Sequence, residues 1–287
     1  MNGKNPPRAL VFLMGIFLAS LEISAAESAE DLLRASEKAL STANSFSVEY
    51  SATLRSGGET VWAALEGKLF FKNGNRYFFT NIGNLFLVLS ANRTWMSNGK
   101  DFLDVLWQPA NELGPSRNSV LDWDPGRLGP LSRQECTKRI VREGFTFLVA
   151  ALVHDDIEQA QPVLSGLPGF SVYPASLRQQ SSITNAQLLA DESAGEPARH
   201  IQYSIYHGTN GPEKVDLWLR PKSFLPVKRV SVPPRMGAEL TETYSFILNP
   251  KLDSALFEPK RFIREQNLVK QIAQAEKPDS RLLKAAS

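Results

Sequence analysis

Two clusters of ionisable side chains have the residue types and spacing that catalysis uses. His154, Asp155 and Asp156 stand together, and an imidazole beside carboxylates can ligate a metal ion or exchange protons. Asp122 and Asp124 are a pair of carboxylates of the kind that hydrolyses glycosides. The simpler interpretations are a helix cap at a helix junction for the first cluster and turn-forming loop residues for the second. We favour the simpler interpretations and predict no active site at either cluster.

The rest of the sequence lacks the motifs of the common enzyme classes. It contains no His-Glu-x-x-His, no Cys-x-x-Cys, no phosphate-binding glycine-rich loop before a helix and no Gly-x-Ser-x-Gly. His200 lies out of phase with Ile201 and Tyr203, so we expect it on the solvent-facing side of a strand. We predict a protein that is not an enzyme and that uses no cofactor and no metal ion.

The charge balance argues against nucleic acid as a partner. Lys and Arg number 32 against 30 Asp and Glu, which gives a formal net charge of +2, and a nucleic-acid-binding protein would show a basic excess. The single cysteine, Cys136, excludes an internal disulfide bond, so stability must come from burial of apolar surface. We expect Cys136 to be a buried and unreactive thiol.

Alternating apolar residues predict strands with one buried face. Phe46, Val48 and Tyr50 alternate with polar side chains, and the same period of two returns along much of the chain. Many of the apolar positions in these strands are aromatic. The residues that we predict to line a shared apolar cavity are Tyr50, Leu69, Phe71, Tyr77, Phe79, Tyr244 and Phe246. Ordinary core packing is the alternative for any one of them.

The elements that must position these residues follow from the same patterns. The predicted strands are 45–55, 61–71, 76–81, 84–90, 93–97, 101–107, 186–190, 199–206, 214–219, 227–232 and 239–248. Asn73-Gly74 predicts the tightest hairpin turn. The expected fold class is α+β, a single curved antiparallel sheet or half-barrel of about eleven strands with helices on its concave face. An apolar cavity is expected between helices and sheet.

Three segments outside the strands complete this scaffold. Residues 29–42 have the spacing of an amphipathic helix. Residues 109–130 are rich in Pro, Gly, Asn and Asp and predict a loop. Residues 131–154 predict a helix weakened by Gly144, and 155–164 a second helix that Asp155 or Asp156 caps.

The N-terminus is typical of an export signal. Lys4 and Arg8 precede an uncharged run over 9–21, and Ser24-Ala25-Ala26 supplies the small residues that signal peptidase accepts. The uncharged run is shorter than the roughly 20 apolar residues of a membrane-spanning helix. We expect cleavage of residues 1–26, a domain over 27–262 and a polar C-terminal tail over 263–287.

Several short motifs occur in an order that suggests a family. EGKLFFKN at 66–73 and RYFF at 76–79 form a strand, a tight turn and an aromatic strand. Further motifs are WMSNGK at 95–100, LWLRPK at 217–222, LPVK at 225–228 and FEP at 257–259. Together they resemble the LolA-type superfamily of periplasmic lipoprotein carriers, with its LppX-like lipid carriers and periplasmic members of unknown function. The resemblance implies a periplasmic protein with a lipid, acyl chain or lipoprotein as its ligand.

One position departs from this family. The carriers place an arginine just before the turn of the first hairpin, where it holds lid helices closed until cargo arrives, and the corresponding residue here is Asn73. The lid switch is therefore not implied for this chain, whereas binding of a lipid or another hydrophobe is. The alternative function is an envelope sensor or interaction module that contacts a membrane protein through the same sheet.

Overall fold

The computed structural model describes residues 28–57, 59–85, 89–90, 92–108, 117–160, 181–193, 197–206, 211–232 and 238–266. The α-helices in these residues are α1 (Ala29–Thr42), α2 (Arg133–Arg142), α3 (Phe145–Ala160) and α4 (Pro259–Glu265), and a 3-10 turn spans Ser254–Phe257. The strands are β1 (Ser45–Ser56), β2 (Glu59–Lys72), β3 (Arg76–Leu85), β4 (Leu89–Ser90), β5 (Arg93–Asn98), β6 (Phe102–Gln108), β7 (Arg117–Asp124), β8 (Ser182–Leu188), β9 (Glu192–Ser193), β10 (Pro197–Tyr206), β11 (Pro212–Leu219), β12 (Pro226–Val232) and β13 (Ala238–Leu248).

All strands belong to one open antiparallel sheet. Its order is β7-β6-β5-β3-β2-β1-β13-β12-β11-β10-β8, with the short β4 beside β3 and β9 beside β10. β1 therefore lies at the centre, between β2 and the C-terminal strand β13. This is the α+β architecture with a single antiparallel sheet that the sequence predicts.

Helices α1, α2 and α3 cover one face of the sheet, which we call the concave face. The inward residues of β1, such as Phe46, Val48 and Tyr50, pack in one apolar cluster with Leu33 of α1 and Leu148 of α3. α1 begins in a capping box, in which Ser28 and Asp31 satisfy each other's backbone N–H groups.

Helix α4 packs on the opposite, convex face. Its Ile263 is buried against Met96, Leu103 and Val105 in a separate cluster, with Phe262 at the margin. α4 thus spans the predicted domain boundary at 262.

Several predicted elements differ from the structure. The predicted loop 109–130 contains β7, because Val120 and Trp123 pack on the cluster under α4 and strengthen pairing with β6. The predicted helix 131–154 is divided at Gly144, whose φ of +88° ends α2. α3 then continues through 155–156, so a helix start at Asp155 or Asp156 is wrong.

Strand β8 also begins earlier than the sequence predicts, at Ser182 rather than at 186. Asn185 has a φ of +54°, and the pairing of β8 with β10 shifts register between Gln202 and Ser204. This irregularity interrupts the period of two on which the prediction depends.

No helix within the described ranges has the length and apolar character needed to cross a membrane. The predicted signal peptide, residues 1–26, lies outside the described residues, as does most of the predicted tail.

Candidate functional site

The seven predicted cavity residues lie together on the concave face. They form one buried cluster with side chains of α1, α2 and α3, and their exposed fractions run from 0% to 6%. The register explains the grouping, since Tyr50 on β1 is opposite Tyr244 on β13 and Leu69 on β2 is opposite Phe79 on β3. The shared inward face is what the strand periodicity predicts, and contact with a ligand stays a prediction.

Phe145, the first residue of α3, is inserted among three of these rings. Its ring stacks on Tyr50 with centroids 4.3 Å apart. It also lies 6.1 Å from the ring of Phe79 and 5.8 Å from that of Tyr244. Tyr50, Phe79 and Tyr244 come from three different strands, and we call them the aromatic cup. The N-terminal end of α3 fills this cup.

A carboxylate of the sheet holds the same end of α3. Glu242 Oε1 accepts hydrogen bonds from the backbone N–H and from the hydroxyl of Thr146, both at 2.7 Å. A carboxylate at a helix N-terminus satisfies free N–H groups and is favoured by the helix dipole. Gly144 permits this approach, because a Cβ there would lie 2.0 Å from Glu242 Oε2.

Glu242 is part of a buried charge cluster with Arg229 of β12 and Glu213 of β11. Arg229 donates through Nη2 to Glu213 Oε1 at 2.8 Å and through Nη1 to Glu242 Oε2 at 3.4 Å, and the three side chains are fully buried. Burial by itself lowers the pKa of Arg229, but the carboxylate of Glu213 and then that of Glu242 raise it above its ordinary value. The guanidinium therefore stays charged inside the sheet–helix core.

Two tyrosines surround the buried charge cluster. Tyr244 Oη donates to Glu242 Oε2 at 2.7 Å, and Tyr203 Oη donates to the backbone carbonyl of Arg142 at 2.6 Å. Burial raises the pKa of Tyr203 to about 12. Burial, with the nearby charge of Glu242, raises the pKa of Tyr244 well above its ordinary value. Both hydroxyls are therefore protonated donors at neutral pH.

The three members of the buried charge cluster were not predicted from the sequence. Each of them follows the inward phase of its strand, as Glu242 does between Leu240 and Tyr244. A charged residue in the apolar phase is a readable signal, because an ionised side chain is rarely buried unless it is paired.

Asn73, at the position of the family's arginine, contacts an arginine from the helix side. Arg133 of α2 donates through Nη1 to Asn73 Oδ1 at 2.5 Å and through Nη2 to the backbone carbonyl of Leu40 in α1 at 2.8 Å. Its guanidinium also lies over the ring of Phe46, 5.5 Å from the centroid. Arg133 thus ties α1, α2 and the β2–β3 turn together.

Asp122 and Asp124, the pair considered for glycoside hydrolysis, lie beside an arginine, whereas the side chains of residues 154–156 lie outside the described part of the chain. Asp122 and Asp124 lie on β7 rather than in a loop, so their assignment as turn formers is wrong. Arg127 Nη1 donates to Asp122 Oδ2 at 3.0 Å and lies 4.0 Å from Asp124 Oδ2. Within the described ranges, no three His, Cys, Asp or Glu side chains are grouped so that they could hold a metal ion.

The alternation predicts that His200 is exposed to solvent, and this prediction is wrong. Its side chain lies on the convex face, but its ring stacks on Trp218 at a centroid distance of 4.5 Å. His200 Nε2 is 2.9 Å from Asp216 Oδ1, and the residue is 6% exposed. The large neighbouring indole covers it, which a single-strand pattern does not reveal.

Cys136 is buried on the inner side of α2, as expected. Burial raises the pKa of the thiol to about 12, although Arg133 and Arg139 oppose the shift. The reactive thiolate is therefore scarce at neutral pH.

A separate depression of about 510 Å³ lies on the convex face. Its lining includes Glu49, Glu66, Lys68 and Thr80, and Lys68 forms an ion pair with Glu49 across it. The lining also includes Tyr50 and Tyr244 of the aromatic cup and the exposed Ile82, so this open surface lies directly behind the cup and is only partly polar.

Comparisons with known proteins return matches among solved structures. No protein-family model matches the chain, and no curated protein matches it significantly. The matched structures include LprF from Mycobacterium bovis, at 8% identity over 78% of this chain and 94% of that chain, with a TM-score of 0.42. Lipoprotein LppX from Mycobacterium tuberculosis matches at 14% identity over 78% and 98%, with a TM-score of 0.37.

A LolA superfamily protein from Nitrosomonas europaea also matches, at 12% identity over 82% of this chain and 99% of that chain, with a TM-score of 0.30. These TM-scores are below 0.5, so the matches carry no conclusion about function. The chain is similar, at low identity, to solved structures that include lipoprotein LppX and a LolA superfamily protein.

Proposed function

We propose that this is an exported, non-enzymatic binding protein that holds an apolar chain, of a lipid, an acyl group or a lipoprotein, between the concave face and the helices. The observation that carries the proposal is the insertion of Phe145 into the aromatic cup. One apolar side chain at a helix end occupies a site built by three strands. The hydrocarbon chain of a ligand is apolar like the Phe145 ring and fits the same site.

We expect helix α3 to move away from the sheet when a ligand binds. α2 is fixed to α1, since Arg142 contacts Glu37 and donates to Glu30 Oε1 at 3.3 Å. Gly144 separates α2 from α3 with a φ of +88°, and glycine absorbs a change of backbone direction at little cost. α3 can therefore swing while α1 and α2 remain on the sheet.

The energies involved favour a long apolar chain over a short one. Withdrawing a buried phenylalanine costs about 3–5 kcal/mol, and each buried methylene of a ligand returns about 0.8 kcal/mol. A chain must then bury more than about six methylenes to offset the loss of Phe145 alone. It must bury more than that to offset other core side chains of α3, such as Leu148 and Leu152. Typical acyl chains exceed that length.

Quenching by a bromine-labelled long-chain alcohol tests the proposal. Trp95 lies against the cup, with its ring centroid 5.2 Å from that of Phe79, whereas Trp218 lies on the convex face against His200. Saturable quenching is expected in the full-length mature protein and in Trp218→Phe. Most of it should disappear in Trp95→Phe.

Two results would contradict this function. One is the absence of saturable quenching in the folded wild type at micromolar concentrations. The other is equal quenching in Trp95→Phe and wild type, which would place the chain away from the cup.

A further inference from the structure

The indole N–H of Trp95 is buried without an acceptor. The residue belongs to the apolar cluster of the concave face and is 1% exposed, and its Nε1 has no hydrogen-bond partner among the described residues. The indole is inclined by only 32° to the ring of Phe79, so an N–H in the indole plane does not point at the face of that ring. A buried donor without an acceptor costs free energy and requires an explanation.

Trp107 shows that the same sheet can satisfy an indole N–H. Its Nε1 donates to Thr94 Oγ1 at 2.6 Å, and the ring packs in the cluster of the convex face. On the concave face, the residue opposite Trp95 on β6 is Asp104, whose Oδ2 accepts from Arg93 Nη1 at 3.1 Å. The unused N–H is therefore specific to the position of Trp95.

Trp95 lies beside the place where the proposed function puts an apolar chain. It is directly opposite Phe79 across β3 and β5, with ring centroids 5.2 Å apart. Phe79 is the wall of the aromatic cup that Phe145 contacts at 6.1 Å. A chain that replaces Phe145 is therefore one ring away from the indole.

We propose that Trp95 is the polar recognition residue of the concave site, where its N–H donates to the carbonyl oxygen of an acyl ligand while the hydrocarbon chain replaces Phe145 in the aromatic cup. The inference rests on the proposed function and names the polar group that the ligand carries. A carbonyl oxygen is an acceptor that brings no donor of its own, which is what a single N–H requires. In an acyl group this oxygen is attached at the end of the chain, so one molecule can fill the cup and reach Trp95.

Two neutral probes that differ in one group test the role of the carbonyl. Dodecyl methyl ketone and dodecyl methyl sulfide have the same chain, and a thioether sulfur is only a weak acceptor. Each probe is titrated by calorimetry into the full-length mature protein. In Trp95→Phe, which keeps an aromatic ring and removes the N–H, the ratio of ketone affinity to sulfide affinity should fall about two- to tenfold. Trp107→Phe removes an indole N–H from the convex face and should leave this ratio unchanged.

The indole N–H signals in the NMR spectrum of the wild type report the hydrogen bond directly. The signal of Trp95 is identified by its contacts with the ring of Phe79, so this measurement does not depend on the folding of a variant. The ketone should move the proton signal of Trp95 downfield, and the sulfide should move it less. The signal of Trp107, which already donates to Thr94, should stay in place with both probes.

A further pair of probes distinguishes the sources of the carbonyl. Methyl dodecanoate carries the ester carbonyl of a lipid, and N-methyldodecanamide carries the amide carbonyl of an acylated amine. Tighter binding of the ester that depends on Trp95 assigns an ester lipid, and tighter binding of the amide that depends on Trp95 assigns an N-acyl chain. Both results support the proposal.

An affinity ratio that does not change in Trp95→Phe would overturn the proposal, as would a Trp95 signal that the bound ketone leaves in place. In either case saturable binding of the bromine-labelled alcohol leaves the proposed function standing. Failure of that alcohol to bind would instead remove the proposed function.

Discussion

Gly144 and Glu242 approach so closely that a single added carbon would bring them into collision. A Cβ on Gly144 would lie 2.0 Å from Glu242 Oε2. The carboxylate that holds α3 and the glycine that ends α2 are therefore interdependent.

Gly144→Ala should be much more damaging than alanine at a comparable glycine. Gly126 has a φ of +92°, close to the +88° of Gly144, but a Cβ there meets nothing within 4 Å. Gly126→Ala should lower the free energy of unfolding by about 1–2 kcal/mol from backbone strain, and Gly144→Ala by at least about 2 kcal/mol more, because Glu242 must move and lose hydrogen bonds. Urea unfolding measures the loss in each variant. Equal losses would show that Glu242 can move away from the added methyl group without an energetic cost.

Phe145→Ala should lower stability and raise affinity together. Loss of a buried phenylalanine costs about 3–5 kcal/mol, while the emptied cup should bind a neutral long-chain alcohol more tightly. Urea unfolding and fluorescence titration measure the two effects. Ile247→Ala is the control, since Ile247 is 59% exposed and should change stability by no more than about 0.5 kcal/mol. Reduced affinity in Phe145→Ala would mean that Phe145 supports the ligand rather than competes with it.

Arg133→Met should loosen the helix cover. The change keeps an apolar side chain over Phe46 but removes the hydrogen bonds to Leu40 and Asn73, so we expect a loss of about 1–3 kcal/mol. Arg34→Met is the matched control on α1, where the side chain is 69% exposed. Hydrogen exchange of α1 and α2 reports the loosening, and unchanged protection would contradict it.

Cys136 should make stability depend on alkaline pH. Its pKa is raised to about 12 in the folded protein, against about 8.5 in an unfolded chain, so the folded state retains the proton longer. The resulting stabilisation is complete below about pH 8.5 and is lost as pH rises toward 12. Between pH 7 and pH 10 the wild type should lose about 2 kcal/mol more than Cys136→Ala. Parallel pH profiles from urea unfolding would refute the raised pKa.

Export should be followed by cleavage between Ala26 and Glu27. Ser24 and Ala26 supply the small side chains that signal peptidase requires. N-terminal sequencing of the protein from an envelope fraction should begin at Glu27, and Ala26→Leu should accumulate the precursor. Recovery of intact Met1 in the membrane pellet from the wild type would exclude this cleavage.

Periodicity within one strand was sufficient to predict that the aromatic residues share one buried face. Tyr77 and Phe79 share a face because alternate side chains of a strand point the same way, whatever the strand pairs with. Predicting the buried charge cluster requires more than periodicity, because Glu242 contacts Arg229 only through the register of β12 against β13. Register depends on contacts that a single segment does not encode.

The burial of His200, the formation of β7 and the position of Phe145 also depend on contacts from outside the segment concerned. Trp218 covers His200 from a neighbouring strand, and Val120 stabilises β7 through the cluster that α4 completes. Likewise, Phe145 reaches the aromatic cup because of the break at Gly144, which the sequence marks as a weak point without showing the direction that the chain then takes.

The central pairing of β1 with β13 sets the order in which the sheet can assemble. Asn44, just before β1, donates its backbone N–H to the side chain of Asn249, just after β13, across 205 residues of chain. Until β13 has been synthesised, β1 has an unsatisfied edge, and the two halves of the sheet cannot join. Contacts of such long range slow folding, and a chain that folds slowly is suited to the export that we propose.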